Sequence, residues 1–346
     1  MTRVNAGELS VLCKQLATMI KAGIPLLQCL EILIKQSENK TLTKALEEVY
    51  EDLTNGKSLG EALQRRPDVF PVVFVNMVKS GEIGGALEYV FAQLGQNTQR
   101  EWELAAKIKS AMLYPLAVVL IALTSAVVML IFVVPQFVTI FNGLDAPLPL
   151  TTRILIGASG VLRDHWRLIL FCALGTGILG RRFMASTRGR RLKDKLIFKI
   201  PLLGKLFHKL IIIRFCRSLS SLLQAGAPIL RALEVVRGVI GNQVVTEGIR
   251  LAENSVKEGG GLAEPLGRSG VFPPLVVQMI AVGEETGAAD KLLEQLAVFY
   301  EQEAGETAVR LSALVEPALI TCVGGFVAFI VLSVMLPVFT IVNYID

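Results

Sequence analysis

The chain has 346 residues, which is enough for two domains of ordinary size with further segments between them. Hydrophobic residues make up 52% of it and charged residues 19%, against roughly 45–50% and about 25% in soluble proteins. The apolar excess argues against a soluble globular protein. A net charge of +5, without aromatic residues interleaved among the basic ones, argues against nucleic acid as a partner.

Residues 1–113 are predicted to form a bundle of about six short helices. The first ten residues are polar, so no secretory signal is predicted and the amino terminus is expected in the cytoplasm. Gly23 is predicted to close the first helix and Pro25 to open the second. Ser58-x-x-Glu61 is a capping box that opens another helix. Apolar residues of the first helix recur every three or four positions, the spacing of one buried helix face: Leu9, Leu12, Leu16, Met19 and Ile20.

Two stretches, residues 110–144 and 317–345, carry no Asp, Glu, Lys, Arg or His. Each is longer than the roughly 20 apolar residues that cross a bilayer as a helix. We therefore predict transmembrane helices within both stretches. The predicted boundaries are 114–135 for the first span, 136–165 for a connector, 316–340 for the last span and 341–346 for a short tail.

The second half of the chain repeats the first. Residues 21–25 (KAGIP) recur as 224–228 (QAGAP), a displacement of 203 positions, and after one deletion the displacement becomes 202. Because these displacements hold to the end of the chain, the halves are a duplication. Residues 183–315 are therefore predicted to hold a basic segment and a second helical copy, with Gly226 and Pro228 in the roles of the first copy's glycine and proline. Matches at the second displacement include Phe70-Pro71 with Phe272-Pro273, Pro115 with Pro317, and Pro135 with Pro337.

Two copies of one domain should lie on the same side of the membrane, which requires an even number of crossings between them. A second span is therefore predicted at 166–182. Only thirteen of its residues in a row are uncharged, about 20 Å of helix against roughly 30 Å of hydrocarbon. Residues 181–217 carry twelve Lys or Arg, among them Arg188, Arg190 and Arg191, but only one acid. The positive-inside rule puts this segment and both copies in the cytoplasm and the connector outside; the same cations are candidate contacts for anionic lipid or an acidic partner.

No motif in the sequence points to an enzyme. Gly175, Gly177 and Gly180 match the dinucleotide-binding fingerprint only as a pattern, because they lie inside the predicted second span, where small residues let helices approach closely. His165 and His208 are the only histidines and are predicted on opposite sides of the membrane. No metal-ligand spacing or Ser nucleophile elbow occurs, and the five cysteines form no CxxC pair. We expect no catalytic site, metal or cofactor.

The most specific polar motif is Gly-Glu-x-x-Gly, which occurs once in each copy. In the structural interpretation its first glycine ends a helix and its acid starts the next helix, where the helix dipole favours a negative charge. In the functional interpretation the acid is exposed and binds a partner protein or a divalent cation. The residues are Gly81, Glu82 and Gly85 in the first copy and Gly283, Glu284 and Gly287 in the second.

The same motifs resemble the paired signature of one membrane-protein family, the type II secretion F / type IV pilus platform proteins. The resemblance covers essentially the whole chain. It is carried by the two AG-x-P turns, the two Phe-Pro turns, SGEIGG at 80–85, VGEETG at 282–287, RGRRL at 188–192, IPLLG at 200–204 and FPPLVVQMIAVGEE at 272–285.

The resemblance implies an all-α polytopic inner-membrane protein with three transmembrane helices and two homologous cytoplasmic helical bundles. It also implies a place at the base of a filament-assembling machine for secretion, pilus assembly or DNA uptake. There the protein would couple a cytoplasmic assembly ATPase to pilin or pseudopilin subunits, beside other inner-membrane components, and a homo-oligomer is expected. The alternative, a membrane transporter or channel subunit, would be expected to carry ionisable groups within its spans, which the predicted spans lack.

Overall fold

The computed structural model describes residues 4–136, 150–165, 167–168, 171–172, 175–177, 180, 182 and 203–345. Over these residues the chain is all-helical and contains no strand, as the sequence predicts. Arg188, Arg190 and Arg191 lie outside the described residues, as does much of the predicted second span.

Six helices make up the first copy and its continuation: α1 (Ala6–Lys21), α2 (Leu26–Gln36), α3 (Lys40–Thr54), α4 (Leu59–Gln64), α5 (Val72–Ile83) and α6 (Leu87–Val128). A π-helical turn, Met129–Val133, extends α6, and α7 (Leu150–Asp164) follows. The second copy repeats the order as α8 (Leu203–Gln224), α9 (Ile229–Val239), α10 (Gln243–Lys257), α11 (Ala263–Arg268), α12 (Pro274–Thr286) and α13 (Ala289–Ile345).

The chain divides into two compact units. The first combines Met1–Lys107 with Leu196–Thr307, and the second combines Ile108–Lys195 with Ala308–Asp346. The first unit therefore contains the bundles of both copies. Within it, α5 of the first copy packs against α8 and α9 of the second, so the two bundles of one chain contact each other.

Both copies bury large apolar side chains. Burying one Leu, Ile, Val, Phe or Met side chain stabilises the fold by roughly 1.5–3 kcal/mol relative to leaving it exposed. The buried faces of the helices are the ones that the three-and-four spacing predicts, since Leu9, Leu12 and Leu16 are all buried on α1. Large side chains that are almost fully buried include Leu30, Leu46, Phe70, Met77 and Phe91 in the first copy and Ile212, Phe215, Leu219, Leu233 and Ile249 in the second.

Two helices among the described residues are long and apolar enough to cross a membrane, Leu87–Gln136 and Ala289–Ser333. Their apolar parts coincide with the two uncharged stretches of the sequence. Almost none of this apolar surface is buried inside the protein. Leu120 and Ile320, for example, are 65% and 67% exposed.

The second unit has a small apolar core of its own. Leu155 of α7 packs there with Val134 and Ile330, which lie in the two apolar helices. Part of the predicted connector is therefore a helix in contact with both. Its location on the outer side of the membrane stays a prediction.

Candidate functional site

The acid of the first Gly-Glu-x-x-Gly motif lies in the last turn of α5, and its side chain reaches back to α4. The Glu82 carboxylate accepts hydrogen bonds from the backbone N–H groups of Leu59, at 2.7 Å, and Gly60, at 3.0 Å. These are the first N–H groups of α4, which have no acceptor within their own helix. The carboxylate also faces the positive end of the α4 dipole, so it stabilises that helix by charge as well as by hydrogen bonding.

The second copy has the same arrangement. Glu284 lies in the last turn of α12 and accepts hydrogen bonds from the backbone N–H groups of Leu262 and, at 3.2 Å, Ala263. Leu262 is the residue that precedes α11, and Ala263 is its first residue. The duplicated acid therefore keeps one structural role, the N-terminal capping of the short fourth helix of its copy.

The structural interpretation of the sequence predicts this acid at the start of a helix, but the structure has it in the last turn of one. Glu82 and Glu284 end a helix and do not begin the next one. The physical principle is the expected one, a carboxylate at a helix N-terminus, but the helix it caps precedes it in the chain. Among the described residues no group of three or more His, Cys, Asp or Glu side chains is placed to hold a metal ion. Both oxygens of each carboxylate already accept backbone hydrogen bonds, which favours the structural interpretation.

The first glycine of the motif permits a close helix contact. A Cβ atom on Gly81 would stand 2.5 Å from Val90 Cγ2, and one on Gly283 would stand 2.7 Å from the Cα of Ala289. Both distances are too short for any real Cβ atom. Since Val90 and Ala289 belong to the sixth helices, the absence of a side chain lets each fifth helix turn tightly into the sixth. Sequence reasoning assigned these glycines to helix ends, whereas they lie inside α5 and α12.

The last glycine of the motif makes the reversal between the same two helices. Gly85 has φ +65° and Gly287 has φ +67°, in the left-handed region that residues with a side chain rarely adopt. Gly287 is the C-cap of α12 and donates its N–H to the carbonyl of Gly283. The motif is thus a corner in which glycines shape the turn and the acid ties it to a third helix.

The AG-x-P turns are formed as the sequence predicts. Gly23 has φ +79° and closes α1, with its N–H bonded to the carbonyl of Ile20, and Pro25 immediately precedes α2. Gly226, at φ +81°, and Pro228 repeat this geometry between α8 and α9. These four residues form the turn that leads into the second helix of each copy.

Polar contacts join the two copies at positions that sequence reasoning missed. Gln93 Nε2 donates to Gln224 Oε1 at 2.7 Å, and Asn97 Nδ2 donates to Ser221 Oγ at 2.8 Å. The donors lie on α6, and the acceptors lie on α8, 131 and 124 residues further along the chain. No local pattern marks such residues, because the pairing depends on how α6 meets the second copy.

Comparison with known proteins agrees with the duplication. The profile of the family described as "Type II secretion system (T2SS), protein F" matches twice, at residues 12–135 and 215–337. The starts of the two matches are 203 positions apart and their ends 202 apart, the same two displacements that relate the halves of the sequence.

Curated relatives cover nearly the whole chain. The type IV pilus assembly protein PilC of Thermus thermophilus is 38% identical over 337 residues, 97% of this chain and 83% of the relative. PilC of Pseudomonas aeruginosa is 32% identical over 347 residues, 99% of this chain and 92% of the relative. The type II secretion system protein F of Aeromonas hydrophila is 31% identical over 343 residues, 99% of this chain and 88% of the relative.

The agreement extends to the boundaries of the repeat. The two profile matches together cover more than half of the chain, and each contains a complete Gly-Glu-x-x-Gly corner. The protein therefore belongs to the type II secretion system protein F family.

Proposed function

We propose that this protein is an inner-membrane platform of a type II secretion or type IV pilus machine, where it couples a cytoplasmic assembly ATPase to the addition of pilin or pseudopilin subunits. The observation that carries the proposal is that each of the two family matches contains a helix long and apolar enough to cross a membrane. The relatives named for type II secretion and for pilus assembly support the kind of machine. In this function the protein is a scaffold and performs no catalysis.

The proposed topology has three spans, with both copies in the cytoplasm. The first and last spans lie within α6 and α13, and residues 166–182 form the second. The duplication supports this count, because two copies in one compartment need two crossings between them. The excess of Lys and Arg in residues 181–217 supports the orientation.

The proposed partners are the assembly ATPase, the pilin-like subunits, other inner-membrane components and further copies of this chain. Several apolar side chains of the first unit are exposed and available for such contacts. Ile83, at the end of α5, is 90% exposed, and Leu275 and Val282 on α12 are 42% and 48% exposed. The basic cluster Arg188, Arg190 and Arg191 supplies a cationic segment for an acidic partner surface.

Cysteine labelling in intact cells tests the topology. Single cysteines are placed at Asn142 and Asp145 in the connector, and at Lys57 and Glu258 in the two copies. A membrane-impermeant maleimide should label the first pair in intact cells and the second pair only after permeabilisation. Labelling of residue 57 or 258 from outside would overturn the proposed orientation.

Co-purification with an assembly ATPase from the same organism tests the proposed coupling. Replacing Arg188, Arg190 and Arg191 by Glu should reduce the amount of ATPase recovered with the membrane-extracted protein. Arg231→Glu with Arg250→Glu is the matched control, because both side chains are exposed and form ion pairs with acids on their own helices. Failure of the unaltered protein to recover the ATPase would contradict the coupling. If both variants recover equal amounts of ATPase, the basic segment does not bind the ATPase and serves only to orient the protein in the membrane.

A further inference from the structure

Two duplicated prolines leave backbone carbonyls without donors in the apolar helices. Pro135 and Pro337 occupy equivalent positions in the two copies, and proline has no N–H. The carbonyl of Ser333 would accept from the N–H of residue 337 in an α-helix, and that residue is the second proline. Its helical hydrogen bond is therefore absent for a covalent reason.

A backbone carbonyl of the first apolar helix also lacks a donor, because of a π-helical turn followed by proline. In its π-helical turn the N–H of Val134 donates to the carbonyl of Met129, so it passes over the carbonyl of Leu130. The next possible donor in the π register is residue 135, which is the first proline. The carbonyl of Leu130 is left with neither its α-helical nor its π-helical donor.

Helix α7 supplies both missing donors. Ser159 Oγ donates to the Leu130 carbonyl at 2.6 Å, and Thr152 Oγ1 donates to the Ser333 carbonyl at 2.6 Å. Both hydroxyl side chains are buried, at 4% and 3% exposure. They are seven residues apart, about two helical turns, and so lie on one face of α7. Leu155 lies between them on that face and packs against Val134 and Ile330.

The opposite face of α7 carries an apolar stripe that no described part of the chain covers. Leu150, Ile154 and Val161 are 76%, 62% and 55% exposed, and their spacing places them within one narrow stripe. Phe132 and Val331, which are close in sequence to the residues that α7 contacts, are also large, apolar and exposed. The stripe therefore has the same large, apolar side chains as the surface that the two proposed spans present to lipid.

The length and position of α7 indicate how it meets the bilayer. Its 15 residues extend about 22 Å, which is shorter than the roughly 30 Å hydrocarbon core. It contacts the apolar helices at residues 130–134 and 330–333, which lie in the second halves of the predicted spans 114–135 and 316–340. A short helix docked there, with an apolar outer stripe, fits within that half of the bilayer, where the stripe meets acyl chains.

We infer that Leu150–Asp164 is a membrane-embedded helix that completes the backbone hydrogen bonds of two proline-interrupted spans and faces lipid acyl chains with Leu150, Ile154 and Val161. In hydrocarbon no water is available to replace a missing donor, so the hydroxyls of α7 are the partners that the two carbonyls require. The inference rests on the proposed membrane spans and does not depend on the ATPase or the pilin-like subunits.

A coupled substitution tests the hydrogen bond. Thr152→Val keeps the shape of the side chain and removes its donor, so it should lower the thermal unfolding midpoint of the detergent-purified protein by a few degrees. Pro337→Ala restores an N–H for the Ser333 carbonyl. In that background the loss caused by Thr152→Val should shrink to less than half. An equal loss in both backgrounds would overturn the assigned role.

A matched control separates this role from the general effect of losing a hydroxyl. Thr124 Oγ1 donates to the Leu120 carbonyl within its own helix, where the Thr124 N–H is also an available donor. Thr124→Val should therefore leave the midpoint within about a degree of its original value. A shift as large as that of Thr152→Val would show that any threonine in an apolar helix has this effect, and would count against the inference.

Spin labels in proteoliposomes test the lipid-facing stripe. The exposed Cys172 and Cys322 are replaced by Ala, and single nitroxides are placed at Leu150, Ile154 and Val161. All three should be more accessible to oxygen than to a water-soluble nickel complex. The reverse order would show a water-facing helix, and strong coupling between labels of different molecules would show a second copy covering the stripe; either result would overturn the lipid assignment.

Two further labels make failure of the inference distinguishable from failure of the proposed function. Labels at Leu120 and Val327, exposed on the proposed spans, should also prefer oxygen. If these two favour the nickel complex, the proposed spans themselves are wrong. If they favour oxygen and the α7 labels do not, only the present inference is wrong.

Discussion

The Glu82 carboxylate and the backbone N–H of Leu59 are joined by a 2.7 Å hydrogen bond across 23 residues of the chain. Glu284 and Leu262 repeat the bond across 22 residues in the second copy. In both copies the acid connects the end of the fifth helix to the start of the fourth, while the neighbouring glycines bring the fifth and sixth helices together. One motif of five residues thus holds three helices in a fixed arrangement.

Replacing the acid by its neutral isostere should destabilise its own copy. We expect Glu82→Gln to lower the free energy of unfolding by about 1–2 kcal/mol, because the amide keeps one acceptor oxygen but loses the charge and the second acceptor. Glu284→Gln should have a similar effect. Thermal melts followed by circular dichroism provide the measurement, with Glu47→Gln on the exposed face of α3 as the control. A loss of partner binding with an unchanged melt would instead support the functional interpretation of the motif.

Adding a methyl group at the close helix contact should be costly. Gly283→Ala would place a Cβ 2.7 Å from the backbone Cα of Ala289, so we expect a loss of about 1–3 kcal/mol as the two helices are pushed apart. Gly238→Ala is the matched control: that glycine is exposed on α9 and a Cβ there would meet nothing within 4 Å. It should stabilise the protein by about 0.5–1 kcal/mol through higher helix propensity. Equal effects of the two substitutions would refute the packing argument.

Two arginine pairs of the second copy should differ in importance. Arg217 donates to Glu301 at 2.5 Å, and the side chains are 13% and 16% exposed, whereas Arg231 and Glu234 are 59% and 51% exposed. Removing one partner of a poorly solvated pair leaves the other charge uncompensated, so Arg217→Met should cost about 1–3 kcal/mol. Arg231→Met should cost less than about 1 kcal/mol. Denaturant midpoints of the two variants, compared with the unaltered protein, would decide; a larger loss for Arg231→Met would contradict this ranking.

An acid-sensitive contribution to stability is expected at Asp52. Hydrogen bonds and charge from Lys57 and Arg65, at 2.7 Å and 2.6 Å, lower the pKa of its carboxyl below the usual value. A pKa lower in the folded than in the unfolded state gives stability that is fully present above the unfolded value, about 3.9, and is lost as the pH falls through the folded value. The difference in melting midpoint between the unaltered protein and Asp52→Asn should be constant near neutral pH and shrink below about pH 4. A difference that stays constant at acid pH would rule out this assignment.

Much of the helical architecture is readable without coordinates because it follows from local rules. The displacement between the copies, the left-handed glycines at Gly23 and Gly226, and the capping box at Ser58 and Glu61 depend on residues close together in the chain. Hydrophobic spacing then indicates which face of each helix is buried. The role of Glu82 was not predictable in this way, since its partners are backbone N–H groups that any sequence possesses. Only the packing of α5 against α4 brings them within reach.

Pro135 and Pro337 separate what the sequence alone determines from what only the tertiary structure determines. That residues 135 and 337 lack an N–H is a covalent property, and it is present in the sequence as soon as the letters are read. That Ser159 and Thr152 fill the resulting gaps depends on where α7 lies against two helices distant in the chain, 29 and 181 residues away. A missing donor is local, but its replacement comes from whichever hydroxyl the tertiary fold carries to the same point.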